Sequence, residues 1–338
     1  MRIGVTGSIA TDHLMTFPGK FGEHLLTEHL DHVSLSFLVD ELDIRRGGCA
    51  ANISYGLGQL GMSPLLIGAV GQDFAEYGDW LQQNGVDTSA VLVSAAKHTA
   101  RFVCTTDEVG GQLASFYSGA MSDAALIELA PIADSAGGLD LVVISPNDPQ
   151  AMIRHTDECR ARGYAFAADP SQQLARADGE MVRLMVDGAA YLFTNEYEAE
   201  LLLQKSGWTH AEVLSRTGCW VTTLGADGVT IERQDAEPVF VKVVEPARIA
   251  DPTGVGDAFR SGYLAGASWG LDDTGCGQLG SAMASLALEV VGPQEYQLEL
   301  AEFLRRLIET YGDDAKIAVA ATLVHGPSAP SQATRAVM

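Results

Sequence analysis

The chain has 338 residues, 47% of them hydrophobic, and a formal charge of −23 from 21 Lys and Arg against 44 Asp and Glu. That length and apolar content allow a sizeable core, in two domains or in one large α/β domain with a small accessory one. So acidic a chain argues against nucleic acid or an anionic membrane as partner, since both reward Lys and Arg, and a bound phosphate would have to be held by backbone amides and metal.

Arg2–Thr6 reads as a buried first strand, too short and too broken by glycine for a signal peptide. Alternation in His32–Val39, Thr99–Thr105 and Gln112–Tyr117 predicts half-buried strands, the last two joined by a hairpin turn at Asp107–Gly111. These strands interrupt a βα order and predict a small β-sheet lid inserted within about residues 13–46 and 98–118. From Leu141 the pattern is regular. Leu141–Ser145, Tyr164–Asp169, Ala189–Thr194 and Trp220–Leu224 are apolar runs of strand length, alternating with helical Pro149–Arg162, Gly179–Val186 and Glu196–Lys205. That alternation predicts parallel strands with helices on both faces. A hairpin-like pair, Val229–Arg233 and Val239–Val244, leads into a glycine turn. Helices Val255–Ser268, Asp272–Val290 and Gln294–Tyr311 close a domain placed at residues 1–324. The Pro, Ser and Ala rich end, His325–Met338, reads as a disordered tail. No run of 18 apolar residues suggests a membrane span. Five widely spaced cysteines without Cys-x-x-Cys read as reduced thiols, which points to the cytoplasm.

The stretch Asp251-Pro-Thr-Gly-Val-Gly-Asp-Ala-Phe259 carries the most chemistry. Gly254, Val255 and Gly256 stand at a helix start, where backbone N–H groups can converge on an anion and the helix dipole favours it. Asp257, in that same turn, makes sense as a base taking a proton from an attacking hydroxyl. A glycine loop that merely caps a helix, with Asp in its first turn, would look the same locally.

Gly56-Leu-Gly58-Gln-Leu-Gly61 matches the dinucleotide fingerprint in form, but a helical stretch (Ala50–Leu60) precedes it and a strand (Pro64–Val70) follows. That is the reverse of what the fingerprint needs, so Gly61 reads as a helix C-cap. Asp12, after the first strand and Gly7-Ser8, can accept hydrogen bonds from vicinal hydroxyls, or serve as a turn residue. Gly48 allows close backbone approach, and Asn52 offers a two-way amide one turn into the next helix. Phe102 and Phe116 flank the lid turn, where phenyl faces can stack on a base or simply pack a small sheet. Gln172 and Gln173 follow a strand end and suit an adenine edge, a phosphate or a helix cap; Ser8 is open in the same way. Asn195 and Glu198, one turn apart after a strand, fit either a water-mediated magnesium site or a capping box. Thr223-Leu-Gly225-Ala-Asp-Gly228 bends tightly after a strand. His24, His29 and His32 lack the spacing of a zinc site.

Taken together, Asp251–Phe259 resembles the C-terminal signature of the ribokinase-like (PfkB) family of sugar and nucleoside kinases. Gly47-Gly48-x-x-x-Asn52 resembles its N-terminal motif, and Asn195-x-x-Glu198 its magnesium-associated motif. Gly7–His13, Ala168–Gln173 and Asp251–Phe259 are similar to the actinobacterial type of adenosine kinase. The resemblance implies a ribokinase-like three-layer α/β/α sandwich with a mostly parallel sheet and an inserted β-sheet lid. It implies transfer from ATP, with Mg2+, to the 5′-hydroxyl of adenosine, or to ribose, fructose or another sugar. By the same resemblance, Asp257 is the base and Gly254, Val255 and Gly256 the anion hole. Asp12, Gly48 and Asn52 grip the sugar, while Ser8, Phe102, Phe116, Gln172 and Gln173 complete the substrate site. Asn195, Thr223, Gly225, Gly228 and Gly256 meet ATP, and Asn195 with Glu198 meets magnesium. The backbone around Asp251 and Thr253 resembles the family's potassium site, and exposed lid edges imply a homodimer. Ala10 and Cys49 depart from the Asn and Lys of ribose kinases, which disfavours free ribose.

Overall fold

The computed structural model of the protein describes residues 1–24, 36–315 and 319. Its strands are β1 (Ile3–Thr6), β2 (Ala10–Phe17), β3 (Glu41–Gly47), β4 (Leu65–Val70), β5 (Val91–Val93), β6 (Ala100–Asp107), β7 (Gln112–Tyr117), β8 (Leu141–Ile144), β9 (Phe166–Ala168), β10 (Tyr191–Asn195), β11 (Trp220–Thr223), β12 (Val229–Glu232) and β13 (Val239–Val241). Apolar runs without alternation, such as those of β1, β4 and β8, are buried along their whole length and lie side by side in parallel. They belong to a nine-stranded sheet ordered β13-β12-β11-β10-β9-β8-β1-β4-β5, in which only the β11-β12-β13 edge is antiparallel.

The helices are α1 (Phe21–His24), α2 (Cys49–Gln59), α3 (Ala75–Gln83), α4 (Leu129–Ala136), α5 (Pro149–Arg162), α6 (Gly179–Val186), α7 (Glu196–Ser206), α8 (His210–Arg216), α9 (Val255–Trp269), α10 (Asp273–Leu288) and α11 (Leu300–Tyr311). Successive strand residues feed opposite faces of the sheet. Ile3, Val5, Leu141 and Val143 join one core with α2, α3, α9, α10 and α11, while Leu65, Ile67, Val142 and Ile144 join another with α4 to α8. The result is a three-layer α/β/α sandwich.

A second sheet, ordered β3-β2-β6-β7, is inserted twice: β2 and β3 between β1 and α2, then β6 and β7 after β5. Asp107 closes its hairpin, with Oδ1 accepting from the amides of Val109 and Gly111. The lid therefore sits where the alternation places it, but its first half differs from the expectation. Residues 32–35 of the expected strand lie outside the described residues, 36–39 form no strand, and the ladder runs through β2 and β3 instead. The reason is physical: Leu42 and Ile44 of β3 are exposed, so its apolar residues mark no core. The last expected helix begins at Leu300 rather than Gln294, because Gln294 and Tyr296 are buried against other elements in an irregular segment. Elsewhere the expected elements hold to within a few residues, while β5, α3, α4 and α8 had no clear sequence signal. The tail 325–338, His29 and His32 lie outside the described residues, as does the side chain of His24. Among the described residues no three His, Cys, Asp or Glu are grouped to hold a metal, and no helix is long and apolar enough to cross a membrane.

Candidate active site

The C-terminal ends of β1, β9, β10 and β11 face one crevice, the usual ligand position in open α/β sheets. Across it stands the turn that starts α9, with Gly254 as N-cap at φ 77° and no side chain capping the helix. The Val255 amide donates to Pro252 O at 3.3 Å. Of the expected anion hole, then, the Val255 N–H is engaged within the turn, and the Gly256 and Asp257 amides are the ones in the first turn without an intrahelical acceptor.

Asp257 is 9% exposed, and its Oδ2 accepts from Asn52 Nδ2 at 2.9 Å. Asn52 in turn accepts at Oδ1 from Gln294 Nε2 at 2.9 Å, and Gln294 Nε2 also donates to Tyr77 Oη at 2.6 Å. Tyr77 donates to Gly47 O at 2.8 Å, at the end of lid strand β3. A buried hydrogen-bonded chain thus runs from the lid hinge to the carboxylate. Burial pushes the Asp257 carboxyl up, opposed by the Arg260 guanidinium and the Asn52 amide, with the Glu198 charge adding to the rise. Arg260 Nη2 donates to Asp169 Oδ1 at 2.7 Å. Burial pushes Asp169 up to about 7, against the pull of Arg260.

The lid contributes a cross-strand row. Asp12 on β2 is in register with Arg45 on β3 and with Phe102 on β6, and Phe102 with Phe116 on β7. Residues opposite one another share a face, so all four point the same way. That way is toward the turn before α9, because Arg45 Nη1 lies 3.6 Å from Asp251 Oδ2. Burial pushes Asp12 up to about 6, moderated by Arg45 and reinforced by Asp251. Gly48 is held at φ 96°, and a Cβ there would stand 2.5 Å from Ser8 O and 2.7 Å from Ala10 N, so only glycine lets α2 start so close to the end of β1. Ser8 Oγ accepts from the Cys49 amide at 3.0 Å and so caps α2. Gln172 Nε2 stands 3.8 Å from Cys49 Sγ, beside the same helix start, whereas Gln173 donates to Asn147 O at 2.9 Å. The opposite lid face covers a cavity of about 340 Å³ against α3, lined by Thr11, His13, Arg46, Asp73 and Arg101 among others. Arg45 and Tyr77 line it as well.

On the other side of the crevice, Asn195 and Glu198 form a complete capping box: Asn195 N donates to Glu198 Oε2 and Glu198 N to Asn195 Oδ1, each at 2.8 Å. Ser171 Oγ adds a bond to Glu198 Oε1 at 3.2 Å. Thr223 lies in register with Asn195 on the neighbouring strand, and Leu224 N donates to Gly228 O across the Gly225–Gly228 bend. Burial pushes Asp251 up, but the Thr253 hydroxyl and amide, the Gly292 amide and Arg45 outweigh it and hold the carboxyl below its usual range.

The structure therefore brings Asp257, Asn52, Glu198, Asp12, Gly48 and the α9 turn around one crevice. It also supplies partners that the motifs leave unmarked. Arg260 follows Asp257 by three residues, a spacing that puts both on one helix face. Arg45 adjoins Gly47-Gly48. Gln294 and Tyr77 carry no sequence signal, since Gln294 meets Asn52 and Tyr77 across 242 and 217 positions.

The chain matches the pfkB family carbohydrate kinase model over residues 23–299. Its fold superposes on a Burkholderia thailandensis nucleoside kinase in complex with inosine with a TM-score of 0.79 at 35% identity, covering 92% of this chain and 98% of that one. The ligand-free form of that kinase gives 0.82 at 36% identity, over 90% and 99% of the two chains. A Methanothermobacter thermautotrophicus nucleoside kinase is 28% identical over 295 residues, 86% of this chain and 94% of its own.

Proposed function

The chain belongs to the pfkB family of carbohydrate kinases, and we propose that it is an ATP-dependent nucleoside kinase that phosphorylates the 5′-hydroxyl of adenosine. The observation that carries this reading is the lid row. A free sugar offers only hydroxyls, for which Asp12 and Gly48 suffice. A nucleoside adds a flat base that needs covering, and Phe102 and Phe116 share the face of Asp12. The Burkholderia relative's complex with inosine supports a purine nucleoside.

In this reading the 5′-oxygen attacks the γ-phosphorus of ATP. An O–P bond forms to the nucleoside, the bond to the bridging β,γ-oxygen breaks, and its electron pair leaves with ADP. Asp257 takes the proton from the hydroxyl. Asn52 fixes the carboxylate's direction by donating to Oδ2, and Gln294 fixes the Asn52 amide. The amides of Gly256 and Asp257, at a helix start, meet the developing phosphoryl charge. Asn195, Thr223, Gly225 and Gly228 line the nucleotide side. A lid that closes also keeps water from the attacked phosphate.

No three carboxylates of the described residues are grouped to bind a metal directly, but Asp169 Oδ2 is buried with no hydrogen-bond partner and Glu198 and Asp257 lie close enough to raise its proton affinity, which fits a divalent cation met through its water shell. Asn195 and Glu198 would hold magnesium through water, and when bound it supplies positive charge to the phosphate oxygens. The Asp251 side-chain oxygens already accept backbone amides and one faces Arg45, so a potassium ion would have to be met by the backbone carbonyls around Asp251 and Thr253. No step is assigned to potassium. The outer lid face exposes Leu42, Ile44, Leu113 and Tyr117, each about half exposed, and two copies paired there would cover them. Ile44→Asp should then turn a dimer into a monomer in light scattering; a wild type that already runs as a monomer removes the homodimer.

The test of function is an ADP-release assay across nucleosides and sugars. Adenosine should exceed ribose and fructose in kcat/KM by orders of magnitude. Phe102→Ala and Phe116→Ala should each weaken adenosine by about 1–3 kcal/mol, the scale of base–aromatic stacking. If a sugar wins, the carbohydrate kinase reading replaces this one.

A further inference from the structure

Gly256 stands in the proposed anion hole, yet its φ is not in the left-handed region, so its backbone does not require glycine. A Cβ on Gly256 would lie 2.7 Å from Arg260 Nη1, so any side chain there would have to displace the end of Arg260. The guanidinium of Arg260, itself 8% exposed, is therefore packed against the backbone whose amide opens toward the crevice. Asp169 holds it there through the 2.7 Å bond from Nη2.

This ion pair is a poor device for stability alone. Arg260 Nε and Asp169 Oδ2 are both buried without a hydrogen-bond partner. A buried pair left half satisfied costs more in desolvation than an apolar pair would. The charges around it give it another use. Asp257 is faced by Asn52 and Cys49 from α2, Glu198 from α7, Asp169 after β9 and Arg260 on its own helix. Three carboxylates surround one guanidinium, and into that set a phosphate must come. Without Arg260 the charged side chains that face Asp257 would all repel it.

We propose that Arg260 is a positioning residue for phosphoryl transfer, whose guanidinium, held beneath Gly256 by Asp169, gives the first-turn amides a fixed positive background for the terminal phosphoryl group. The proposal rests on the kinase reading above. An alanine at position 256 would have to push the end of that side chain aside.

The test compares binding of ADP and of the non-hydrolysable analogue AMP-PNP, both with magnesium, by calorimetry on wild type, Arg260→Met, Arg260→Lys and Asp169→Asn. Melting temperatures are measured alongside. Arg260→Met should weaken AMP-PNP at least about tenfold more than ADP, the scale of one charge-assisted contact. Arg260→Lys should fall between Met and wild type. Asp169→Asn frees the guanidinium from its counter-charge and should favour AMP-PNP over ADP more than wild type does. A purely structural pair predicts that Met and Asn variants lose stability together and move both nucleotides alike. That result overturns the proposal, as does a Lys variant indistinguishable from Met. These ratios are read without turnover, so they are separable from the kinase reading, which fails only if wild type transfers phosphate to no nucleoside or sugar.

Discussion

At the scale of single residues, the site sets two carboxylates to different ends. Asp257 is buried and pushed up, yet Arg260 and Asn52 pull it back toward the ionised form a base must have. Asp257→Asn should keep the fold and nucleotide binding while lowering kcat by roughly 10² or more, the scale of a lost general base; near-normal turnover of the folded variant would remove the assignment. Asp12 is pushed to about 6 from an ordinary 3.8 chiefly by burial. Its proton is held more tightly in the fold than in the unfolded chain. The stability it contributes is therefore full below about pH 4 and lost as pH rises through about 6. Asp12→Asn should raise the melting temperature of the ligand-free protein at pH 7.5 by about 2–4 °C, with the gain shrinking at pH 5, while kcat/KM for adenosine falls. An equal effect at both pH values would place the cost elsewhere. Asp257 and Gly254 are legible in the sequence because turn, helix start and carboxylate are contiguous there. Gln294 is not, because what makes it matter is Asn52, 242 positions earlier.

At the scale of elements, periodicity reports burial, and so it found the strands of the central sheet other than the edge strand β5, and not the first half of the lid. The central strands are covered on both faces and read as unbroken apolar runs. β3 carries Asp43, Arg45 and Arg46 among outward Leu42 and Ile44, and nothing in that run separates strand from loop. The start of α7 shows a different limit. Asn195 and Glu198 suit either a capping box or a metal site, and the capping box is formed, which leaves the cation role to charge. Gln at the third position can complete the same box. Glu198→Gln should therefore leave the melting temperature nearly unchanged while raising the magnesium concentration needed for half-maximal activity. A loss of stability with normal magnesium dependence would reduce Glu198 to a cap.

At the scale of the whole molecule, an acidic chain spends three of its arginines on joining lid to body. Arg45 reaches Asp251 at 3.6 Å, Arg46 reaches Glu295 at 3.7 Å and lies 4.4 Å over the Trp80 ring, and Arg101 pairs with Asp73. These pairs are partly exposed, so salt screens them. Raising ionic strength from about 0.05 to 0.5 M should increase KM for the nucleoside several-fold with a smaller change in kcat, and Arg45→Gln should flatten that dependence; a KM indifferent to salt would mean that the lid is not held this way. The hydrogen-bonded chain from Gly47 to Asp257 has a consequence for synthesis. Asn52 leaves the ribosome early and Asp257 late, but the amide that holds Asn52, which in turn donates to Asp257, belongs to Gln294. A nascent chain can already have its sheet, its lid and its carboxylate, and still lack the part that aims them. On the proposed reading, competence for chemistry waits until Gln294 is made, after the crevice has its walls.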